Sequence, residues 1–271
     1  MAQSGHPGRA GQGEAVRQAK HVLMVLSGKG GVGKTTVAVN TACALARSLR
    51  VGLLDADLHG PNVPKMLGVE RARLPVRDGR IVPVPTAWNL AVMSIAFALP
   101  TADTPLIWRG PLKMKAIRQL IEEVDWGKLD LLVVDLPPGT GDEPLSVAQV
   151  IGRVDAALVV TTPQEVALLD ARKAVGFCRK VGVQRIGVVE NMASLTCPHC
   201  GQEIELFGKG GGERMAKETG ATFLGRLPWL PEVVRAGDAG QPAVEADPHA
   251  REAFLGLALK VLDFLQGEGS I

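Results

Sequence analysis

With 271 residues, 46% of them hydrophobic and 21% charged, the chain is long enough to bury a sizeable core in one α/β domain or at most two small ones. A formal net charge of +2 gives no argument for a nucleic-acid or membrane surface, and no apolar run reaches the roughly 18 residues that a spanning helix needs. The start lacks the apolar centre of a secretory signal, so a soluble protein in a reducing cytoplasm is expected, where thiols are rarely disulfides.

The opening MAQSGHPGRAGQGEAVRQAK is rich in Gly and poor in apolar residues, which predicts a flexible tail over 1–20. From His21 onward, short β-branched runs alternate with amphipathic or alanine-rich stretches. The runs fall at 22–26, 51–54, 90–94, 131–134, 156–162 and 186–191. Helical stretches at 34–48, 112–124, 165–180 and 248–265 separate or follow them. The runs are continuously apolar rather than alternating, as strands covered on both faces require. The prediction is an α/β fold, a mostly parallel sheet wound with helices on both faces. A single domain is expected over 21–271, with a polar, glycine-rich excursion from Cys197 to about Gly212.

The first strand runs directly into SGKGGVGKTTVAVN. Gly28, Gly30 and Gly33 satisfy a dinucleotide-binding pattern, and Asp55 follows Gly33 at the spacing such folds use. The same stretch satisfies G-x-x-x-x-G-K-[ST] from Gly28 to Thr35, and its Lys-Thr ending separates the two readings. A phosphate cradle needs glycines to turn backbone N–H groups inward, a lysine against the β/γ-phosphates and a hydroxyl on magnesium. Lys34 and Thr35 stand where those tasks are done, whereas a dinucleotide loop or a plain strand-to-helix turn leaves them without a purpose. Two later segments agree. VGLLDADLHGPN ends a strand with Asp55 and Asp57, and LLVVDLPPGTGDE ends another with Asp135. A carboxylate at the carboxyl end of a buried parallel strand lies where such sheets bind ligands, and there it holds magnesium or orients a water. A lone Asp in such a place is often only a helix cap.

The loop carries a second lysine, Lys29, inside GKGGVGKT. In this it resembles the deviant phosphate-loop ATPases of the septum-site, plasmid-partition and nitrogenase iron-protein families, which share a P-loop NTPase fold of the MinD-like (SIMIBI) type. DADLHGPNVPKMLG, WRGP at 108–111, DLPPGTGDE, and ENM followed by CPHCG narrow the resemblance to the Mrp/ApbC branch, the ATP-dependent iron-sulfur cluster carriers. The resemblance covers about 21–265. It implies ATP and magnesium as cofactors, with Gly28, Lys29, Gly30, Gly31, Val32, Gly33, Lys34, Thr35 and Thr36 around the phosphates. It implies Lys29 reaching across a homodimer to the partner's nucleotide, Asp57 near the attacking water in switch I, Thr35, Asp57 and Asp135 about the magnesium, and Asn191 against the adenine. Recipients would be apo iron-sulfur proteins, supplied by a cluster donor scaffold. A four-cysteine motif ahead of the ATPase, known in relatives, is missing.

Cys197 and Cys200 are therefore the cluster candidates. A C-x-x-C turn lets both thiolates face one metal but is only half of a four-ligand site. Two chains paired about a two-fold axis would supply four thiolates to one bridging cluster, which the family makes [4Fe-4S]. Half of a zinc ribbon and a redox dithiol are the rival readings. Cys43 and Cys178 lie in helical patterns, where a buried inert thiol is expected. A rival function is a MinD/ParA-like positioning ATPase acting on membrane or DNA. Against it, AFLGLALKVLDFLQGEGSI has Lys260 as its only basic residue, where a membrane-binding relative carries a basic amphipathic helix.

Overall fold

The structure, a computed structural model, describes residues 19–99, 110–197 and 199–267. The expected tail through Gln18, the Trp108–Arg109 half of WRGP and Pro198 lie outside them.

The strands are β1 (Ala19–Leu26), β2 (Val51–Asp55), β3 (Val76–Arg77), β4 (Arg80–Ile81), β5 (Val84–Pro85), β6 (Leu90–Ser94), β7 (Leu129–Asp135), β8 (Ala156–Thr161), β9 (Arg185–Glu190), β10 (Leu195–Thr196), β11 (Glu203–Ile204) and β12 (Thr222–Arg226). The α-helices are α1 (Lys34–Ala46), α2 (Val63–Met66), α3 (Gly110–Glu122), α4 (Asp142–Ile151), α5 (Glu165–Lys180), α6 (Gly211–Thr219), α7 (Pro231–Asp238), α8 (Ala243–Ala246) and α9 (Pro248–Gln266). Eight strands form one sheet in the order β12-β9-β8-β1-β7-β2-β6-β5, parallel except where β5 meets β6.

The unbroken apolar runs are what a sheet covered on both sides needs. Leu23, Val25, Leu131 and Val133 point into a core closed by α1 and α9. Their chain neighbours Val22, Met24, Leu132 and Val134 point into the opposite core, closed by α3, α4, α5 and α6. Ala19 and Lys20, assigned to the tail by composition, belong instead to β1. Ala19 pairs with Leu129 and is buried, and Lys20 reaches Asp130 at 2.8 Å, so the strand is held from its first residue.

Strand order places the chemistry. β1 lies between β7 and β8, and β7 lies between β1 and β2, so the loops after β1, β2 and β7 leave the same sheet edge side by side. Val25 pairs with Asp135, and Asp135 pairs with Asp55. The excursion after β9 folds as a small antiparallel hairpin, β10 against β11, before α6 returns the chain to the sheet.

Candidate functional site

The loop between β1 and α1 turns on Gly33, whose φ of 84° lies in the left-handed region that a side chain disfavours. A Cβ there would also stand 2.2 Å from Asn191 Nδ2, and one at Gly28 would stand 2.2 Å from the backbone of Asp170. Close approach to neighbouring segments therefore restricts these two positions. Gly30 and Gly31 are exposed at the loop tip, Lys29 is half-buried beside them, and Val32 is buried. The Ser27 hydroxyl donates to Lys29 O at 2.8 Å, and the Gly139 N–H donates to Ser27 O at 2.8 Å, joining the first loop to the one after β7.

Lys34, the first residue of α1, is 6% exposed. Its Nζ lies 2.5 Å from Asp135 Oδ1 and 3.1 Å from Thr35 Oγ1. The Thr35 hydroxyl donates to Asp135 Oδ2 at 2.7 Å. Burial pushes the Asp135 carboxyl above its ordinary range, against the pull of the Lys34 ammonium and the Thr35 hydroxyl. Asp55 is fully buried as well, and it is pushed up strongly by burial and then by the neighbouring charge of Asp135. Its oxygens are taken internally. Ser94 Oγ donates to Oδ2 at 3.0 Å, the Val63 N–H to Oδ2 at 3.3 Å and the Asp57 N–H to Oδ1 at 3.3 Å. Asp55 thus shapes the turn that presents Asp57. Asp57 is half-buried, and its Oδ1 accepts the Gly60 N–H at 3.2 Å.

Beside α1 a cavity of about 330 Å³ runs from Thr35 and Thr36 to Asn191, Met192, Pro228, Trp229 and Leu230. It is polar where it meets the loop and apolar at the far wall. Asn191 is buried, and its Nδ2 donates to Val32 O at 2.9 Å, so the residue after β9 is tied to the phosphate loop. Met192 carries a φ of 57°, an uncommon conformation for a side-chain-bearing residue and one that collects at ligand sites. Sequence reasoning missed the wall at 228–230. The available signal was LPWLPE directly after a strand, and β12 itself is too short and too exposed to show in an apolar pattern.

Cys197 and Cys200 close the tip of the β10–β11 hairpin. The Cys197 N–H donates to Gln202 O and the Gly201 N–H to Cys197 O, both at 2.9 Å. Backbone N–H groups of Cys200 and His199, joined by the Cys200 thiol, face the Cys197 sulfur and lower its thiol below the ordinary value. Cys197 is half-exposed and Cys200 exposed, whereas Cys43 and Cys178 are buried in α1 and α5. Burial raises both of those thiols, Cys178 to about 12. Among the described residues no three His, Cys, Asp or Glu side chains converge as a metal site, so the knuckle offers two ligands. The hairpin's return is fixed by Glu190, a buried carboxylate at the end of β9. It accepts the N–H groups of Gly210 at 3.1 Å and Gly212 at 2.5 Å and the Arg226 Nε at 3.1 Å. Sequence reasoning gave Glu190 no part, because its partners lie 20 to 36 residues away.

A parallel sheet whose edge carries a glycine-rich loop, a Lys-Thr pair with the lysine buried and a strand-end Asp defines a P-loop NTPase. The chain matches the model of the family described as "ParA: NUBPL iron-transfer P-loop NTPase" over residues 18–262, and it belongs to that family. Relatives named iron-sulfur cluster carrier protein include one from Methanocaldococcus jannaschii, 45% identical over 94% of this chain and 88% of the relative. One from Pyrococcus horikoshii is 49% identical over 93% of this chain and 89% of the relative. Among solved structures, a nucleotide-binding protein in complex with ADP from Archaeoglobus fulgidus is 36% identical, covers 89% of this chain and 94% of its own, and gives a TM-score of 0.77. The cell division ATPase MinD of Pyrococcus furiosus is 26% identical over 90% of this chain and 98% of its own, with a TM-score of 0.64.

Proposed function

We propose that the chain is a cytoplasmic, ATP-hydrolysing carrier of iron-sulfur clusters, in which two copies hold one [4Fe-4S] cluster, receive it from a donor scaffold and pass it to apoproteins. The observation that carries this reading is the solvent-accessible Cys197–Cys200 knuckle, two ligands short of a four-ligand site, on a P-loop NTPase whose relatives bear the carrier name. A second copy completes four thiolates.

In this reading the single ATPase domain over 21–271 does the nucleotide chemistry. The backbone from Gly28 to Gly33 and the first turn of α1, with Thr36, wrap the phosphates. Lys34 places its ammonium on the β/γ-oxygens, where charge develops during transfer. Lys29 reaches the nucleotide of the second copy, and Asp57 orients the attacking water. Asn191 and the wall at 228–230 receive the adenine. Thr35 and Asp135 make a hard-oxygen pair, a hydroxyl 2.7 Å from a buried carboxylate, whose chemistry suits magnesium, with Asp57 at its edge. Magnesium held there would supply positive charge to the phosphates. When Lys34 turns to the nucleotide, Asp135 loses its ammonium partner, so a cation beside Thr35 also answers the charge left in the protein interior.

The positioning-ATPase reading is weaker on this chain. The C-terminal helix α9 packs Phe254, Leu257, Val261, Phe264 and Leu265 into the core beside α1, so its main apolar face is used within the fold. No helix among the described residues is long and apolar enough to cross one. That reading also leaves Cys197 and Cys200 without a task.

The test is anaerobic reconstitution with iron and sulfide, followed by iron per chain, an absorption spectrum and gel filtration. The wild type should hold its cluster as a dimer, and Cys197→Ala or Cys200→Ala should bring bound iron near zero while leaving ATP hydrolysis intact. A cluster held by the monomer, or full iron in either variant, would overturn the bridged site.

A further inference from the structure

The turn after β2 carries Asp57, and the loop after β7 begins at Asp135. Both leave neighbouring strands whose last residues, Asp55 and Asp135, pair in register. The Ala56 N–H donates to Asp135 O at 2.9 Å, and further out the two segments are joined through side chains. The spanning group comes from a third segment. Lys113, in the first turns of α3, lies with its Nζ 2.8 Å from His59 Nε2 in the turn after β2, and it pairs with Glu143 Oε1 in the first turn of α4. His59 Nε2 is itself 2.8 Å from that same oxygen.

Three side chains from three separate segments thus close on one point. The base under Lys113 is firm, since α3 buries Ala116, Ile117, Leu120 and Ile121 against the sheet. Lys113 is 22% exposed and Glu143 29%, so water screens this pair less than a fully exposed one. His59 Nε2 has one role at a time, accepting from Lys113 or donating to Glu143, and the Lys113–Glu143 pair stands in either case. Burial works against the Glu143 charge, but Lys113 and His59 outweigh it and keep the carboxyl below its usual range, ionised at neutral pH.

We propose that Lys113 and Glu143 are positioning residues for nucleotide hydrolysis: their ion pair holds His59 and through it clasps the turn bearing Asp57 to the helix that follows the Asp135 loop. The inference rests on the hydrolytic reading above. A misplacement of about 1 Å between groups that must act on one phosphate costs on the order of 100-fold in rate, which is the size of effect a lost clasp would produce.

The experiment compares steady-state ATP hydrolysis, equilibrium nucleotide affinity and thermal midpoint for the wild type, Lys113→Met, Lys113→Arg, Glu143→Gln and the reversed pair Lys113→Glu with Glu143→Lys. Lys113→Met and Glu143→Gln should each lower kcat by about 10- to 100-fold with affinity within about two-fold of the wild type. Lys113→Arg should recover most of the rate, and the reversed pair should be faster than Lys113→Glu or Glu143→Lys made alone. Wild-type kcat in Lys113→Met and Glu143→Gln would overturn the clasp while leaving the hydrolytic reading in place. So would a joint fall of rate, affinity and thermal midpoint that Lys113→Arg does not rescue. A folded wild type with no ATP hydrolysis would instead overturn the hydrolytic reading, and the clasp with it.

Discussion

Lys34 and Asp135 concentrate the electrostatics of the site into one buried contact, 2.5 Å long between a lysine 6% exposed and a carboxylate with no exposure. Neither charge is stable there alone. Lys34→Ala should reduce ATP hydrolysis by at least about 100- to 1000-fold, because the phosphoryl charge loses its fixed counter-charge. It should also cost about 3–5 kcal/mol of stability at neutral pH, because Asp135 is left buried and unpaired. The sign with pH follows from Asp135. Without the ammonium its folded-state pKa rises further above the unfolded value near about 3.9, so the penalty is absent in acid and grows as pH rises through that window. Urea unfolding of the variant and the wild type between acid and neutral pH checks this. A stability gap that stayed constant with pH would mean that Asp135 does not carry it.

Among the elements, the β1-to-α1 turn is constrained more by its neighbours than by its own dihedrals. Gly33→Ala meets both a left-handed φ, worth about 1–2 kcal/mol for a residue with a Cβ, and the Asn191 amide at 2.2 Å. Nucleotide binding should be lost, because Asn191 cannot keep both its bond to Val32 O and its place in the cavity. Gly30→Ala meets nothing within 4 Å and should stay within about 0.5 kcal/mol of the wild type. Denaturant midpoints and a nucleotide titration on both variants separate the two effects, and equal losses would refute the contact argument. Legibility followed element length. The helices at 165–180 and 248–265 were visible because long amphipathic periods are local, and their observed spans are Glu165–Lys180 and Pro248–Gln266. The four-residue α2 and α8, the two-residue strands and β12 carry no period to read; they form because tertiary neighbours pair and cover them.

At the scale of the molecule, the sheet edge opposite the phosphate loop is tied by Asp130, in β7. It takes Lys20 from β1 at 2.8 Å, and the Nε and backbone N–H of Arg50, just before β2, at 3.2 and 3.0 Å. Three central strands are thereby joined at their starting ends. Hydrogen bonds from the Arg50 and Lys20 side chains hold the Asp130 carboxyl well below the usual range. The stabilisation is therefore present above the unfolded value near about 3.9 and is lost as pH falls through the lower, folded one. Asp130→Asn should lower the thermal midpoint at neutral pH by a small amount that added salt reduces, and the difference from the wild type should vanish in acid. Thermal scans at neutral and acid pH measure it. A difference that persisted below the folded-state value would assign the effect to packing instead.

What the sequence determined by itself was whatever depends on residues close together in the chain. The wound parallel sheet was readable from unbroken apolar runs, the phosphate loop from Gly28 to Thr35 from its spacing, and the Cys197–Cys200 knuckle from two thiols and a turn. The tertiary structure alone decided which groups meet across long separations. Strand order β1-β7-β2 set Lys34 against Asp135, 101 residues away, and turned Asp55 inward to Ser94 and Val63. It brought the wall at 228–230 to Asn191, and it gathered His59, Lys113 and Glu143 from separations of 54 and 30 residues. Periodicity and spacing report the local chain, whereas these meetings are fixed by which strands lie side by side, and no local pattern encodes that choice.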